Sequence, residues 1–128
     1  MKLLLDTHAF IWWDSEPDKL SLKAMAACKD AANVLVVSVA SIWEVQIKIQ
    51  LGILTLRMPL VDVIQDQQQK NGVQILPVSL KHVLAIDQLP FHHKDPFDQM
   101  LMAQANAEGA TIVSKDSELS KYPVRILW

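Results

Sequence analysis

Lys2-Leu3-Leu4-Leu5-Asp6-Thr7-His8 is the stretch on which the fold turns. Three consecutive leucines are far too short a run for a membrane span, and they suit a strand covered on both faces. The run stops at an acid, and the residues after it, through Trp13, read as a brief helix. Moving outward, Val34–Val37 is a β-branched run that reads as a second buried strand. After Ser38, Ile42, Val45 and Ile49 follow a helical period that stops at Gly52. Ser21–Ala32 has the composition of a helix. Leu60–Lys70 is amphipathic and ends at Asn71-Gly72, and Val73–Leu76 is a strand ended by Pro77. Ser79–Gln88 reads as a helix stopped before Pro90. Pro96–Glu108 has proline at its first position and Gly109 just past its end, the expected asymmetry of a helix. Thr111–Val113 and Val124–Leu127 complete the strands. Short apolar strands alternating with helices imply a mostly parallel sheet of five strands in an α/β/α sandwich.

The bulk properties agree with one domain spanning residues 1–128. Apolar residues make up 51% of the chain and charged ones 20%, an ordinary balance for a globular protein. No signal peptide or membrane span is expected. Cys28 has no partner for a disulfide or a zinc site, so it reads as a small apolar residue on a helix face in a reducing, cytoplasmic setting. The formal net charge of −2 runs against a nucleic-acid binder, because such domains are commonly basic. A net-acidic chain would engage RNA if its acids were gathered where a metal neutralises them.

Four acids are placed in that way. Asp6 follows the first strand, Glu44 lies early in the helix after the second, Asp98 lies in the first turn of the helix from Pro96, and Asp116 follows the fourth strand by two residues. In an open parallel sheet the loops leaving the carboxyl ends of the strands share one edge, where ligands bind. Each acid also has a plain structural use. Asp95 and Asp98 suit an N-cap and a helix dipole, Asp6 and Asp116 would cap the segments after them, and Ser41-Ile42-Trp43-Glu44 matches a capping box, with Ser38 an equally good cap. Together, however, two carboxylates 4 Å apart repel by roughly 4 kcal/mol at an effective dielectric near 20. Converging acids therefore lift one another's pKa or recruit a cation. Oxygen donors without a histidine or cysteine cluster favour Mg²⁺ or Mn²⁺, and such a metal suits phosphodiester hydrolysis.

Leu4-Leu5-Asp6-Thr7-His8, Ser38-Val39-Ala40-Ser41-Ile42-Trp43-Glu44, Lys94-Asp95-Pro96-Phe97-Asp98-Gln99 and Ile112-Val113-Ser114-Lys115-Asp116 resemble, in order, the signature segments of PIN-domain proteins. The likeness is nearest to the VapC-type toxins and covers essentially the whole chain. The resemblance implies a PIN-like α/β/α sandwich with an acidic pocket at the carboxyl edge of its sheet. It makes Asp6, Glu44, Asp98 and Asp116 the catalytic acids. Asp6 and Asp98 would be direct Mg²⁺ ligands, Glu44 would act through water, and Asp116 would orient a water or hold a second metal. Asp95 is assigned to capping. The family also implies an endoribonuclease with an RNA substrate, a homodimer, and inhibition by a cognate antitoxin lying over the active-site groove. This sequence departs at Gln99, where arginine is frequent, and at Ser114, where threonine is usual.

Other residues carry two readings. His92 and His93 suit a solvent-facing loop, while His8 is placed either to reach the pocket or to pack near the strand end. Lys48 lies at pairing distance from Glu44 on a helix, or would meet a phosphate. Lys94 and Lys115 flank motif acids and would steer RNA or simply solvate a surface. Trp12, Trp13 and Trp43 exceed the needs of packing, and an exposed Trp12 or Trp13 would suit a partner surface. Base stacking by these residues finds no basic groove beside them in sequence. Two other function classes compete with the metal nuclease. A catalytically silent PIN-like module binding RNA or protein would be free to lose the four acids. A phosphatase of dehalogenase type would want a second aspartate where His8 stands, and a phospho-receiver lacks its lysine.

Overall fold

The computed structural model describes residues 1–90 and 95–128. His92, His93 and Lys94 fall outside the described residues. β1 (Lys2–Leu5), β2 (Val34–Ser38), β3 (Gln74–Leu76), β4 (Thr111–Val113) and β5 (Ile126–Leu127) form one sheet in the order β3-β2-β1-β4-β5. All four pairings are parallel, with Leu4 opposite Val36 on one side and Ile112 on the other. Six α-helices join them: α1 (Thr7–Ser15), α2 (Leu22–Lys29), α3 (Val39–Gln50), α4 (Leu60–Asn71), α5 (Leu80–Ala85) and α6 (Pro96–Glu108).

The leucines of β1 show why the strand is apolar throughout. Leu3 and Leu5 point into one core with Phe10 of α1, Ala24 and Cys28 of α2 and Val63 of α4. Leu4 points the other way, into a second core with Leu101, Met102 and Ala105 of α6. Side chains alternate across a strand, so a strand sandwiched between two helical layers needs an apolar residue at each of these positions. All three leucines are fully buried, and each contributes about 1.5–3 kcal/mol of apolar burial.

The element ends follow local chemistry. Ser21 caps α2, its hydroxyl accepting from the Ala24 N–H. That helix stops at Lys29 rather than Ala32, because Asp30 turns the chain by accepting from the Ala32 N–H and Asn33 donates to the Ala27 carbonyl. Gly72 and Gly109 close α4 and α6 in the left-handed conformation, at φ of 63° and 65°, which costs glycine little. The helix expected over 79–88 is shorter: α5 ends at Ala85 and tightens into a 3-10 turn over Ile86–Gln88. Pro90 explains the stop at Gln88, since it pushes Leu89 before it out of the α region. Ser38, not Ser41, caps α3. Ser41 lies inside the helix, buried, with no partner for its hydroxyl among the described residues.

The strand order fixes where a ligand would sit. From β1 the chain runs outward to β2 and β3, then returns to the other side for β4 and β5. Neighbouring strands β1 and β4 therefore send their chains in opposite directions at their carboxyl ends, and the crevice this opens is the usual ligand site of open α/β sheets. Asp6 leaves β1 and Ser114-Lys115-Asp116 leave β4 at that crevice.

Candidate active site

Asp6 is the N-cap of α1, its Oδ1 accepting from the Ala9 N–H at 2.8 Å. Its own N–H donates to the Val113 carbonyl at 3.1 Å, which ties the acid to β4. The residue is only 8% exposed. Burial raises its carboxyl above the ordinary carboxylate range; hydrogen bonds from Ser114 and Ala9 and the nearby His8 pull it down, and the charge of Glu44 pushes it up again. Asp6 is thus the cap expected of it and also a desolvated acid at the switch point.

Each of the other acids is held by neighbours. Ser114 is buried at the end of β4, and its hydroxyl accepts from the Asp116 N–H at 3.0 Å while bonding Asp6. The serine that replaces the usual threonine therefore keeps the hydroxyl that links two acids. Asp116 caps the 3-10 turn Ser117–Lys121 by accepting from the Glu118 N–H at 3.0 Å. Glu44 sits in the second turn of α3, where the buried Thr7 hydroxyl donates to its Oε1 at 2.5 Å. Lys48, one turn on, lies 3.7 Å from its Oε2, the pairing expected from their spacing. Asp98 is the third residue of α6, half-buried, with its N–H 3.4 Å from the Asp95 carboxylate. Asp95 caps that helix through the Phe97 N–H at 2.9 Å, as assigned from sequence.

Asp6 and Asp116 line one open pocket of about 340 Å³ together with His8, Trp12 and Lys115. Glu44 reaches this pocket electrostatically, through its effect on Asp6. Asp98 is not part of the pocket lining. It stands beside α3, because Trp43 and Phe97, the residues just before Glu44 and Asp98, meet edge to face at 5.4 Å. Thr7 went unnoticed in the sequence as a site residue. Its signal was a hydroxyl directly after the first acid, on the turn that faces α3.

The donor set is all oxygen. Among the described residues no three His, Cys, Asp or Glu side chains close into a metal cage, the four acids included. Mg²⁺ keeps several of its waters and commonly takes one or two carboxylates. A carboxylate pushed up by burial, sharing an open pocket with a second carboxylate, fits a hard cation of that kind.

The tryptophans divide between core and surface. Trp12 and Trp13 both pack partly against the core of α1, α2 and α4, and the Trp13 Nε1 donates to Gln67 at 3.0 Å. The strongly exposed tryptophan is Trp43, at 62%. Behind Trp13 lies a network the sequence did not disclose, in which Arg57 bridges the carboxylates of Asp14 and Asp66, and Gln67 donates to Asp14. It fastens the loop before α4 to α1. Among the described residues no helix is long and apolar enough to cross a membrane.

Comparison with known proteins was informative. A family model described as the PIN domain matches residues 3–124. Ribonuclease VapC22 of Mycobacterium tuberculosis is 28% identical over 121 residues, which cover 94% of this chain and 91% of that protein. The fold is similar to that in the crystal structure of VapBC2 from Rickettsia felis bound to a DNA fragment from their promoter. The TM-score is 0.72 at 16% identity, over 98% of this chain and 97% of that one. The structure of VapBC-1 from nontypeable Haemophilus influenzae gives a TM-score of 0.67 at 15% identity, over 98% and 96% of the two chains.

Proposed function

The chain belongs to the PIN-domain family, and from that premise we propose that it is a VapC-type endoribonuclease, the toxin of a toxin–antitoxin pair, acting as one domain over residues 1–128. The observation that carries the chemistry is Asp6, a carboxylate buried at the sheet's switch point, raised by its surroundings and facing Asp116 across an open pocket. The likeness to VapC22 supports the ribonuclease reading, and the VapBC structures of similar fold support an antitoxin partner.

In this reading Asp6 and Asp98 would be the direct ligands of Mg²⁺, with Mn²⁺ as a substitute and Glu44 and Asp116 completing the set, although Asp98 stands outside the pocket that Asp6 and Asp116 line. When bound, such an ion supplies a water of lowered pKa and charge neutralisation at a phosphodiester. The chain's own groups prepare that site. Ser114 and the Ala9 N–H fix the Asp6 carboxylate, while Thr7 and Lys48 fix Glu44. Lys115 brings positive charge to a pocket that also holds two acids, as a polyanionic substrate requires. Outer partners of this kind hold ligands in one orientation and account for much of a site's affinity.

The protein acts as a homodimer in this reading. An apolar groove of about 650 Å³ lies between α3 and α6, lined by Val39, Trp43, Ile47, Phe97 and Met100, with Val78 beside it. α5 adds exposed Leu80, Val83 and Leu84. Exposed apolar surface of this kind often marks an interaction site, and a second copy would cover it with the same face, as two-fold symmetry demands.

The test is incubation of the purified chain, freed of any antitoxin, with total tRNA and ribosomal RNA and Mg²⁺ or Mn²⁺. Discrete fragments that disappear in EDTA and in Asp6→Asn are expected. Uncut RNA in every lane, with calorimetry detecting no bound metal, would overturn the enzyme and leave a silent binding module.

A further inference from the structure

Beside the acids of the candidate pocket stands an aromatic cluster whose purpose metal-assisted hydrolysis leaves open. Trp12 lies one helical turn after His8 on α1, with ring centroids 5.7 Å apart and planes tilted by 41°. Trp128, at the far end of the chain, meets Trp12 at 5.9 Å with a tilt of 55°. The Lys115 ammonium sits 6.0 Å from the Trp12 ring. Trp12, His8 and Lys115 line the same pocket as Asp6 and Asp116. The neighbouring Trp13 spends its N–H on Gln67. Trp12 packs partly against the same core but presents the rest of its surface to the pocket.

We propose that Trp12, backed by Trp128 and flanked by His8 and Lys115, is a stacking platform for a nucleobase of the RNA next to the cleaved phosphate. This rests on the ribonuclease reading and names a binding contact for that site. The physical case has three parts. An indole presents a large π-face that any base will stack upon, so the contact adds affinity with little sequence preference. The Lys115 ammonium over that ring supplies local phosphate attraction in a chain of net charge −2. No sequence neighbour of Trp12 is basic; Lys115 and Trp128 reach it only through the pairing of β4 with β1 and β5. The fold therefore assembles, from three distant segments, the aromatic and cationic pair that single-strand binders use.

The test compares wild type, Trp12→Ala, Trp12→Leu and Trp12→Phe. Leucine preserves apolar bulk against Trp128 without offering a ring, and melting temperatures check that each variant is folded. Binding of a short, fluorescein-labelled single-stranded RNA of mixed sequence is measured in EDTA by anisotropy, so that no metal and no turnover enter. Cleavage of the same RNA with Mg²⁺ is measured in parallel. Loss of a base stack corresponds to a rise of about 5- to 150-fold in Kd and KM for Ala and Leu. The expected pattern adds a kcat within about twofold of wild type, unchanged cut positions, and substantial recovery by Phe. Wild-type affinity in the folded Ala or Leu variant, with wild-type cleavage intact, would overturn this inference alone and leave the cluster to a protein partner. A wild type that neither binds nor cuts RNA would overturn the ribonuclease reading and this contact with it.

Discussion

Asp6→Asn is expected to silence the nuclease and at the same time raise the melting temperature of the metal-free protein, because it removes a buried charge while keeping the cap to Ala9, and the Ser114 hydroxyl can turn to accept from the new amide. The amide oxygen still accepts from the Ala9 N–H, now 2.8 Å from the carboxylate, and asparagine is as good an N-cap as aspartate. What disappears is the desolvated anion and its repulsion by Glu44. Relief of this kind at functional sites is worth about 0.5–2 kcal/mol. For a chain of 128 residues that corresponds to roughly 2–8 °C. The pH dependence has a definite sign. A carboxyl whose pKa is raised in the fold binds its proton more tightly in the native than in the unfolded state. Its stabilising contribution is complete below the unfolded value of 3.8 and is lost as pH climbs through the raised folded value. The advantage of asparagine should therefore be negligible in acid and complete at neutral pH. Mg²⁺ reverses the order, since a ligand at about 100 times its Kd stabilises the wild type by about 2.7 kcal/mol and has little to hold in the variant. Asp6→Ala should gain less, because losing the cap costs about 1 kcal/mol. Circular-dichroism melts in EDTA and in Mg²⁺, from about pH 4 to pH 8, measure all of this. A variant that melts below wild type at neutral pH in EDTA, or a gain independent of pH, would refute the reasoning.

Thr7→Val removes the hydroxyl that holds Glu44 and should weaken Mg²⁺ binding by about 10- to 100-fold in calorimetry, with little change in melting. Gly109→Ala places a side chain at φ of 65°, where an L-residue costs about 1–2 kcal/mol; a lowered melting temperature with unchanged activity is expected. Cys28 is buried, and burial pushes its thiol up to about 11. About one molecule in a thousand carries the thiolate at pH 8, so alkylation should be slow until the protein unfolds. Trp43→Asp places a charge in the apolar groove of α3 and α6 and should convert dimer to monomer by light scattering while the fold still melts cooperatively.

Much of the frame was readable because it depends on local pattern. Leu3-Leu4-Leu5 announced a strand covered on both faces, and its two cores confirm the reason. Acids at strand ends could be placed at one edge of the sheet, since parallel order alone brings those ends together. What stayed hidden depends on long-range approach. Thr7 meets Glu44 across 37 residues and Arg57 meets Asp14 across 43, and neither pair has a spacing signature. Ser41 and Ser38 were indistinguishable as caps from composition, and the end of β2 at Ser38 decided between them. Trp12 and Trp13 look equivalent in sequence and both touch the core, yet a 100° step around α1 lets Trp12 line the pocket while Trp13 bonds Gln67. His82 drew no notice as a cap, but it completes a capping box with Ser79 and meets Glu108 at 3.2 Å.

The most direct test of water-driven cleavage at this site is isotope incorporation. Cleavage of a susceptible RNA with Mg²⁺ in ¹⁸O-labelled water should place one ¹⁸O on the terminal phosphate of each cut, with no 2′,3′-cyclic phosphate, and Asp6→Asn should leave the RNA whole. Cyclic phosphate ends free of label, or equal labelling by Asp6→Asn, would contradict a water activated at the Asp6 pocket.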